Sequence, residues 1–406
     1  MQSSCESIWA EGNEKSALGV FPSPFVEYVD RGDAGWYPAW GPQPRTLAEL
    51  RMRQFSWFLR SKPDWCSVLS RPVVLEQWRN TALEYHPALT ADNRLSPNMI
   101  NYVLGELAGY TKIRDDERGI ECGCFDAIWR SDELLSDDFC GRLRAAVAVL
   151  EHEDLPRGMD GNIVNLIDPS LYSTVYGRTY ASFPDPRSCG ELSSPTPSED
   201  QPEWTISTRF GWIPSDFSVN AEDGSVRLLS PYINNLHPDR HQLLYRAVED
   251  ALTAFVPMFE RVLGDINQER RTPFPRNRIR TVDDNDGISC IWGEGEPALE
   301  EPDGGPLAAP AEHEFYEPLY ETVPKILPEA HDRYAGELEN DFTPVSLKGA
   351  TIQCIIKLVN LQLTPEYPEH AGDDWHIDGM ANENIVASII YIGRGEQLIR
   401  SALPTR

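Results

Sequence analysis

Two apolar, β-branched runs near the carboxyl end of the chain, Thr351–Leu363 and Ile385–Ile392, constrain the fold most strongly. Their length and their isoleucine and valine content predict two buried strands. Pro365, Pro368 and Gly372 lie between the runs and predict an irregular connection. Because strand edges expose N–H and C=O groups that need partners, these runs require further strands, helices or another chain beside them. The second half of the chain is therefore predicted to contain a sheet.

The connection between the two runs contains a candidate metal-binding pair, His376 and Asp378. In an extended segment, residues two apart face the same side, so the imidazole and the carboxylate can reach a common point. Such a pair supplies two of the three ligands in the two-histidine, one-carboxylate triad of non-heme Fe(II) enzymes. The same His-x-Asp spacing also occurs at residues 152–154 and 237–239, next to helical patterns. The spacing alone therefore leaves open a hydrogen-bonded loop histidine as the alternative.

The charge and the cysteine content exclude several classes of function. The formal net charge is −28, whereas nucleic acids and anionic membranes bind basic surfaces, so neither is an expected partner. The cysteines are scattered, and the spacing of Cys122 and Cys124 is too tight for a zinc hairpin, so reduced intracellular thiols are expected. The N-terminus lacks the basic and apolar regions of a signal peptide, and no apolar run is long enough to cross a membrane. We therefore expect a soluble cytoplasmic protein.

Helical patterns dominate the first part of the chain and return near residue 240. Thr46 and Glu49 form a capping box that predicts a helix through about Lys62. The segment Trp204–Ser230 instead predicts strands, with a turn at residues 222–224. Further helices are predicted over Val74–Tyr85, Pro97–Tyr110 and Ser131–Glu151, from Pro238 to a kink or an end at Pro257, and over about Glu314–Ala335.

Five separated blocks extend the analysis to nearly the whole chain. They read TLAELRMRQFSWFL, DGNIVNLIDPSLYSTVYGRT, GWIPSDFSV, SPYINNLHPDRHQLLYRAVEDALTAFVPMFERVL and IKLVNLQLTPEYPEHAGDDWHIDGMANENIVASIIY. Together the blocks resemble the fungal family called domain of unknown function (DUF) 4246, in order from about Phe21 to Tyr391. Their joint occurrence is much more specific than the His-x-Asp spacing.

The resemblance implies a helical N-terminal region over residues 1–95 and a C-terminal region over residues 96–406. Within the second region it implies a part similar to the double-stranded β-helix, a jelly-roll or cupin-like fold, of Fe(II)/2-oxoglutarate-dependent oxygenases. This β-helix is expected at about residues 204–392, in incomplete form, followed by a divergent tail over residues 393–406. The predicted fold class is therefore α+β, with helices followed by an incomplete double-stranded β-helix.

The resemblance also implies roles for individual residues. His376 and Asp378 match the family's Trp-His-x-acid-Gly element and would be the first two iron ligands, although many members have Glu where this chain has Asp378. Lys357 and Asn360 match the preceding strand and are the candidates for contact with the cosubstrate, with ordinary strand residues as the alternative. The Asn-Glu pair at residues 382–383 matches the element that follows, and a turn-stabilising role is expected for it. The implied cofactors are thus Fe(II) and 2-oxoglutarate.

The carboxyl end departs from the family pattern. His376 is the last histidine, whereas the oxygenases that the chain resembles have the third iron ligand and the basic 2-oxoglutarate-binding residue farther downstream. Arg394, Arg400 and Arg406 are the only basic residues after Ile392, and none lies in a family-like context. We therefore expect an incomplete site, weak affinity for Fe(II) and no turnover of 2-oxoglutarate.

Two functions from different classes remain open. One is an uncharacterised oxygenase-like protein that acts on an unknown small molecule, and the alternative is a non-catalytic truncated fragment or interaction protein. In a less favoured third hypothesis, His313, His331 or His370 completes the metal site. An incomplete β-helix would leave strand edges exposed, so self-association through these edges is also expected.

Overall fold

The structure is a computed structural model that describes residues 28–30, 36–38, 46–84, 94–151, 162–182, 192–197, 205–267, 278–279, 329–340 and 343–393, apart from positions 364, 366–367, 369, 371, 373–375 and 377. For residues 28–30, 36–38, 84, 181–182 and 192–193 only the backbone is described. Helices and short antiparallel strands both occur in these segments, which confirms the predicted mixture of the two.

The helices are α1 (Leu47–Arg60), α2 (Trp65–Val68), α3 (Pro72–Glu84), α4 (Pro97–Ile113), α5 (Asp137–Glu151), α6 (Gln242–Ile266) and α7 (Glu337–Asn340). The strands are β1 (Tyr28–Asp30), β2 (Trp36–Pro38), β3 (Glu121–Cys122), β4 (Trp129–Arg130), β5 (Ile163–Ile167), β6 (Thr174–Val175), β7 (Ala181–Ser182), β8 (Leu192–Ser193), β9 (Phe210–Gly211), β10 (Ser215–Val219), β11 (Val226–Leu228), β12 (Thr351–Cys354) and β13 (Leu358–Leu361). Among the helices in these segments, none combines the length and the apolar character needed to span a membrane.

Side-chain caps set the starts of the first long helices. The hydroxyl of Thr46 accepts a hydrogen bond of 3.2 Å from the backbone N–H of Glu49 and caps α1, as the capping box predicts. Ser96 caps α4 through the N–H of Met99 at 3.0 Å. The third predicted helix is therefore confirmed, and it continues to Ile113.

Two other predicted helices differ from the structure. The helix expected at Ser131–Glu151 begins six residues later, because the hydroxyl of Ser136 accepts the N–H of Phe139 and so sets the N-terminus of α5. The helix expected at about Glu314–Ala335 lies outside the described residues up to position 328, and residues 329–335 are not helical.

Helix α6 has 25 residues and is the longest helix in the described part of the chain. It begins at Gln242 rather than at Pro238. Pro257 lacks an N–H and cannot donate to the carbonyl of Thr253, yet it does not end the helix. The helix continues because apolar residues on both sides of the proline are buried, namely Leu244, Ala247, Leu252, Val256, Met258 and Leu263.

The strands predicted within Trp204–Ser230 form the β10–β11 hairpin. Its turn includes Gly224, whose φ of +74° is a left-handed conformation that glycine adopts without strain. Strand β10 is the centre of a three-stranded antiparallel sheet, between β11 and β12. The predicted turn at residues 222–224 is therefore confirmed.

The two apolar runs that constrain the fold behave differently from the prediction. The run Thr351–Leu363 forms two strands, because β12 joins β10 whereas β13 pairs with β5 in a separate two-stranded sheet. The prediction of a strand at Ile385–Ile392 is wrong, since this segment contains no strand. Val386 and Ala387 are neighbours and both pack against the same core, so the segment lacks the alternation of a half-buried strand.

The described strands form sheets of two or three strands and no closed barrel. Val359 and Leu361 of β13 are 38% and 45% exposed, so this small sheet is covered only in part. The incomplete double-stranded β-helix at about residues 204–392 stays a prediction. Of the tail, Gly393 is not in a strand and the rest lies outside the described residues.

Helix α6 contributes to two of the three buried clusters of the described residues. The largest cluster packs α5 and α6 against β5, β10 and β11. A second cluster packs residues of α1 and α4 around Trp129 and includes Met258 of α6. A third joins α1 and α4 to Ile279 and Ala330. Helices on the two sides of the boundary expected at residues 95 and 96 therefore share buried surface.

A buried ionic network lies between α1, α4 and the β3–β4 connection. Arg278 is 1% exposed, and its guanidinium lies 2.9 Å from Glu106, 3.2 Å from Glu49 and 3.6 Å from Asp126. Its Nη2 donates a hydrogen bond of 3.1 Å to the hydroxyl of Tyr110. Burial alone would lower the pKa of Arg278, but the surrounding acidic groups, Glu106 first among them, raise this pKa well above its usual range.

Replacement of Arg278 by Met should destabilise the protein by about 3–5 kcal/mol, because it removes the guanidinium that lies 2.9 Å from the fully buried Glu106, whereas Glu49 and Asp126 keep their ion pairs with Arg53. The measurement is the free energy of unfolding by urea. Arg227→Met is the matched control, because Arg227 is 64% exposed in its 3.1 Å pair with Glu249, and its loss should cost less than about 1 kcal/mol. Equal effects of the two substitutions would contradict a stabilising role of the buried network.

Candidate functional site

Three of the four residues predicted to bind iron or cosubstrate lie close together. The Oδ1 atom of Asp378 is 3.7 Å from Nε2 of His376 and 3.6 Å from Nζ of Lys357. Lys357 comes from the short connection between β12 and β13, whereas His376 and Asp378 come from the loop that follows β13. The two segments are separated in the sequence and lie together in the fold.

The site is open to solvent. The side chains of Lys357, His376 and Asp378 are 47%, 56% and 49% exposed. Water and salt screen charges at this exposure, so the Lys357–Asp378 ion pair contributes little to stability. The 3.7 Å between His376 and Asp378 also exceeds the usual hydrogen-bond range of about 2.7–3.2 Å. These two side chains therefore lie near each other without a direct hydrogen bond between them.

Asn360 is not part of this group. Its side-chain Nδ2 donates a hydrogen bond of 2.5 Å to Oε1 of Glu151, the last residue of α5. The pairing of β13 with β5 aligns Asn360 with Val164, and the register shifts between Leu358 and Val359. The side-chain amide of Asn360 therefore contacts the end of α5. Its predicted contact with the cosubstrate stays a prediction.

The pair of donors fits two of the ligands of a divalent metal. Two donors at right angles, each about 2.1 Å from a metal, lie about 3 Å apart. The 3.7 Å between His376 and Asp378 is close to this spacing, and both exposed side chains can rotate toward each other. Within the described positions, however, no group of three or more His, Cys, Asp or Glu residues could hold a metal ion. The Lys357 ammonium beside Asp378 fits the binding of a carboxylate such as that of 2-oxoglutarate.

Asn382, four residues after Asp378, forms hydrogen bonds that connect this loop to distant parts of the chain. The side-chain Oδ1 of Asn382 accepts the N–H of Ser207 at 2.7 Å, and its Nδ2 donates to the carbonyl of Ser207 at 3.0 Å. The same Nδ2 donates to the hydroxyl of Tyr176 at 2.9 Å. The neighbouring N–H of Ala381 donates to the carbonyl of Thr205 at 2.9 Å. All of these partners are distant from the loop in sequence.

Glu383 adds a second attachment. Its Oε1 accepts the N–H of Trp212 at 2.9 Å, and its Oε2 accepts the N–H of Met380 at 2.6 Å. A carboxylate that accepts two backbone N–H groups forms charge-assisted hydrogen bonds, which are stronger than neutral ones. One oxygen closes the turn, and the other joins this turn to the end of β9. The turn-stabilising role predicted for the pair at residues 382–383 is confirmed.

The partners of these two residues were not predicted as functional. Tyr176 and Trp212 nevertheless lie in two of the blocks on which the family resemblance rests, STVYGRT and GWIPSDFSV. A signal for them was therefore present, because both residues lie in these blocks and belong to none of the buried clusters of the described residues. What the sequence could not show is that both blocks contact the loop with His376.

Comparison with known proteins places the chain in a family. The model of the family described as "Protein of unknown function (DUF4246)" matches residues 97–404. The chain belongs to the DUF4246 family. No curated protein and no solved structure matches this DUF4246 chain.

The other histidines that the structure describes belong to no metal-binding group, and two of them have structural partners. His237 accepts the N–H of Asp239 at its Nδ1, and His241 accepts the N–H of His237, which explains the second His-x-Asp as part of the turn before α6. The first His-x-Asp, at residues 152–154, lies outside the described residues. His313 also lies outside them, whereas His331 and His370 are described and belong to no group able to hold a metal.

The Lys357→Gln substitution should change the free energy of unfolding by less than about 1 kcal/mol, because the ion pair that it removes is about half exposed. Urea unfolding of the variant and of the parent protein measures this difference. A loss clearly larger than that would show that Lys357 has a structural role, and would remove it as a candidate for cosubstrate binding.

Proposed function

We propose that this DUF4246 chain is an oxygenase-like protein with a low-affinity Fe(II) site at His376 and Asp378. The observation that supports the proposal is the convergence of His376 and Lys357 on one oxygen of Asp378, at 3.7 and 3.6 Å. These are a nitrogen ligand, a carboxylate ligand and a cation for a bound carboxylate, which are the groups that the resemblance to Fe(II)/2-oxoglutarate oxygenases leads us to expect.

The proposal includes the fold around the site. Strands β10–β12 form one sheet, and β5 and β13 belong to another, with the Lys357 segment crossing from one sheet to the other. We propose that these two sheets are the facing halves of an incomplete double-stranded β-helix over about residues 204–392. Strand β5 lies before this range, so the pairing of β13 with β5 would extend the β-helix beyond the segment where the sequence predicts it.

In such a site the side chains of this protein would bind the metal and orient the cosubstrate. When bound, Fe(II) supplies activation of O2 coupled to the oxidation of 2-oxoglutarate. His376 and Asp378 would hold the metal, and Lys357 would orient a carboxylate of 2-oxoglutarate. The described residues provide two protein ligands, so we propose weak metal binding and no turnover. The substrate class remains a small molecule, without nucleic acid or membrane, as the net charge of −28 favours.

A second candidate function is a non-catalytic interaction protein. The observation that favours it is the Lys357 ammonium, which already compensates the charge of Asp378 at 3.6 Å. The three side chains would then form an exposed ion-pair cluster beside β13, whose partly exposed Val359 and Leu361 would contribute to self-association. Metal binding distinguishes the two candidates, because an ion-pair cluster has no specific requirement for His376.

Anaerobic titration with Fe(II) should show binding weaker than micromolar, because the described residues supply two direct ligands rather than three, and even an outer-shell loss costs about 10–100-fold. His376→Ala should weaken the remaining binding by at least about 10-fold, since it removes one of two ligands. Isothermal titration calorimetry in the absence of O2 measures both affinities.

His237→Ala is the matched control, since this histidine has the same spacing to an aspartate but accepts a backbone N–H of the turn before α6. Equal affinities in the His376→Ala and His237→Ala proteins would reject the metal site and favour the ion-pair cluster. A stoichiometric micromolar site that depends on His376 would show that a further ligand completes it.

The chain should form no succinate from 2-oxoglutarate in the presence of Fe(II) and O2, because the two ligands and the exposed lysine that the described residues supply do not hold both the metal and the cosubstrate firmly. Succinate is measured by chromatography against a sample treated with a chelator. Succinate above that background, lost in the Asp378→Asn protein, would show that the site is complete and active.

A further inference from the structure

We infer that an open cavity beside Pro257 of α6 binds a small organic carboxylate that has an apolar body and a hydroxyl group. The cavity has a volume of about 550 Å³, which lies within the range of small-molecule sites. Lys357, His376 and Asp378 do not line it. The inference therefore goes beyond the proposed function, and it does not depend on metal binding.

Parts of the described chain that are distant in sequence line the cavity. One part is the stretch of α6 around Pro257, and the others include the turn of the β10–β11 hairpin and the residues before β12. Oε1 of Glu260 on α6 accepts the N–H of Leu347 at 2.8 Å, and Nζ of Lys348 donates to the carbonyl of Glu222 in the hairpin turn at 3.0 Å. These bonds connect the walls, so the cavity is formed before a ligand binds, as is usual for small-molecule sites.

Part of the lining is apolar and firmly packed. Val256 is 4% exposed and belongs to the largest buried cluster, and Val345 packs against the same cluster. Pro257 and Pro344 are adjacent to these valines in the chain and also line the cavity. An apolar ligand body that covers this part of the lining removes apolar surface from water, which favours binding.

Three basic side chains give the cavity groups that bind an anion. The carbonyl of Glu222 is uncharged and occupies one of the three donors of the Lys348 ammonium, so within the described residues donors remain for a carboxylate. Arg118 is 48% exposed in its pair with Asp115 at 3.1 Å. Arg261 adds a third positive charge to the lining. Bonds between such cations and a carboxylate are charge-assisted and therefore stronger than neutral hydrogen bonds.

Three carboxylates also line the cavity, and each accepts a backbone N–H of the protein. Asp115 accepts the N–H of Arg118 at 3.0 Å, and Asp223 accepts that of Ser225 at 2.8 Å, in addition to the bond of Glu260 described above. The lining thus has three basic and three acidic side chains, whereas the whole chain has a formal net charge of −28. An anion therefore meets less repulsion here than over the average surface of the protein.

The proline within α6 supplies an acceptor for the hydroxyl group of the ligand. Pro257 has no N–H, so the carbonyl of Thr253 lacks the helical donor four residues later. Both residues line the cavity. The side chain of Thr253 is used elsewhere, since its hydroxyl donates to the carbonyl of Glu249 at 2.8 Å and accepts the N–H of Val226 at 2.9 Å. The backbone carbonyl is therefore the group that a ligand hydroxyl would contact.

Four related compounds test these three features separately by isothermal titration calorimetry. Phenyllactate has the carboxylate, the apolar ring and the hydroxyl, and should bind with a Kd of about 1 mM or lower, the range of weak small-molecule complexes. 3-Phenylpropionate lacks the hydroxyl, phenyllactamide lacks the charge and lactate lacks the ring. Each of these three should bind more weakly than phenyllactate, by roughly 3–10-fold for the missing hydroxyl and more for the missing charge or ring.

Two substitutions assign the contacts to named groups. Pro257→Ala restores the N–H that Thr253 would otherwise accept, so this variant should no longer prefer phenyllactate over 3-phenylpropionate. Lys348→Gln should weaken phenyllactate binding by about 5-fold or more and leave phenyllactamide binding unchanged, because only the former has a charge for the ammonium. Arg227→Gln is the matched control, since this arginine pairs with Glu249 at 64% exposure and does not line the cavity.

The outcomes decide the inference without reference to iron. The absence of phenyllactate binding at millimolar concentrations, or equal binding of all four compounds, would overturn it. An unchanged preference for phenyllactate in Pro257→Ala would overturn the role of the Thr253 carbonyl. His376→Ala should bind phenyllactate as the parent protein does, and a loss of binding in this variant would place the carboxylate at the other site. Thermal melting verifies that each variant is folded.

Discussion

The burial of one face of α6 is the constraint on which the rest of this structure depends. Its apolar residues Leu244, Leu252, Val256 and Leu263 belong to the cluster that covers β5, β10 and β11, and Met258 belongs to the cluster of the N-terminal helices. A helix that contributes to both clusters fixes helices and sheets relative to each other. The tolerance of Pro257 in its interior follows, because the free energy of apolar burial on both sides exceeds the cost of one lost backbone hydrogen bond.

Predictions from the sequence succeeded where structure is local. A helix start needs one side chain and the N–H three residues later, so the cap at Thr46 was recognised from adjacent residues; the helix from Pro97 was also predicted, although its cap at Ser96 was not. Ser136 has the same role, but the apolar periodicity before it hid the start of α5. The β10–β11 hairpin was equally accessible, since a glycine turn and two short strands are close in sequence.

Predictions failed where structure depends on distant partners. The run Thr351–Leu363 reads as one mostly apolar strand with no glycine or proline, so its pattern does not predict that the chain leaves the sheet of β10 for that of β5 within it. At the candidate site, the His-x-Asp spacing was sufficient to propose His376 and Asp378 as neighbours, and the resemblance added Lys357. The positions of Asn360, Tyr176 and Trp212 relative to this pair depend on strand register and on contacts across the fold, which periodicity does not encode.

The half-exposed position of His376 and Asp378 has a consequence for how such a site fills with ions. A chain with a formal net charge of −28 is surrounded by an atmosphere of counter-ions, in which cations are more concentrated than in bulk solution. This enrichment extends about 8–10 Å at physiological ionic strength and weakens as salt is added. A metal ion at the proposed site would therefore be drawn from the counter-ion atmosphere rather than from the bulk, where other cations would compete with Fe(II). Occupancy of the pair would be governed by ion exchange at an acidic surface as much as by the two ligands.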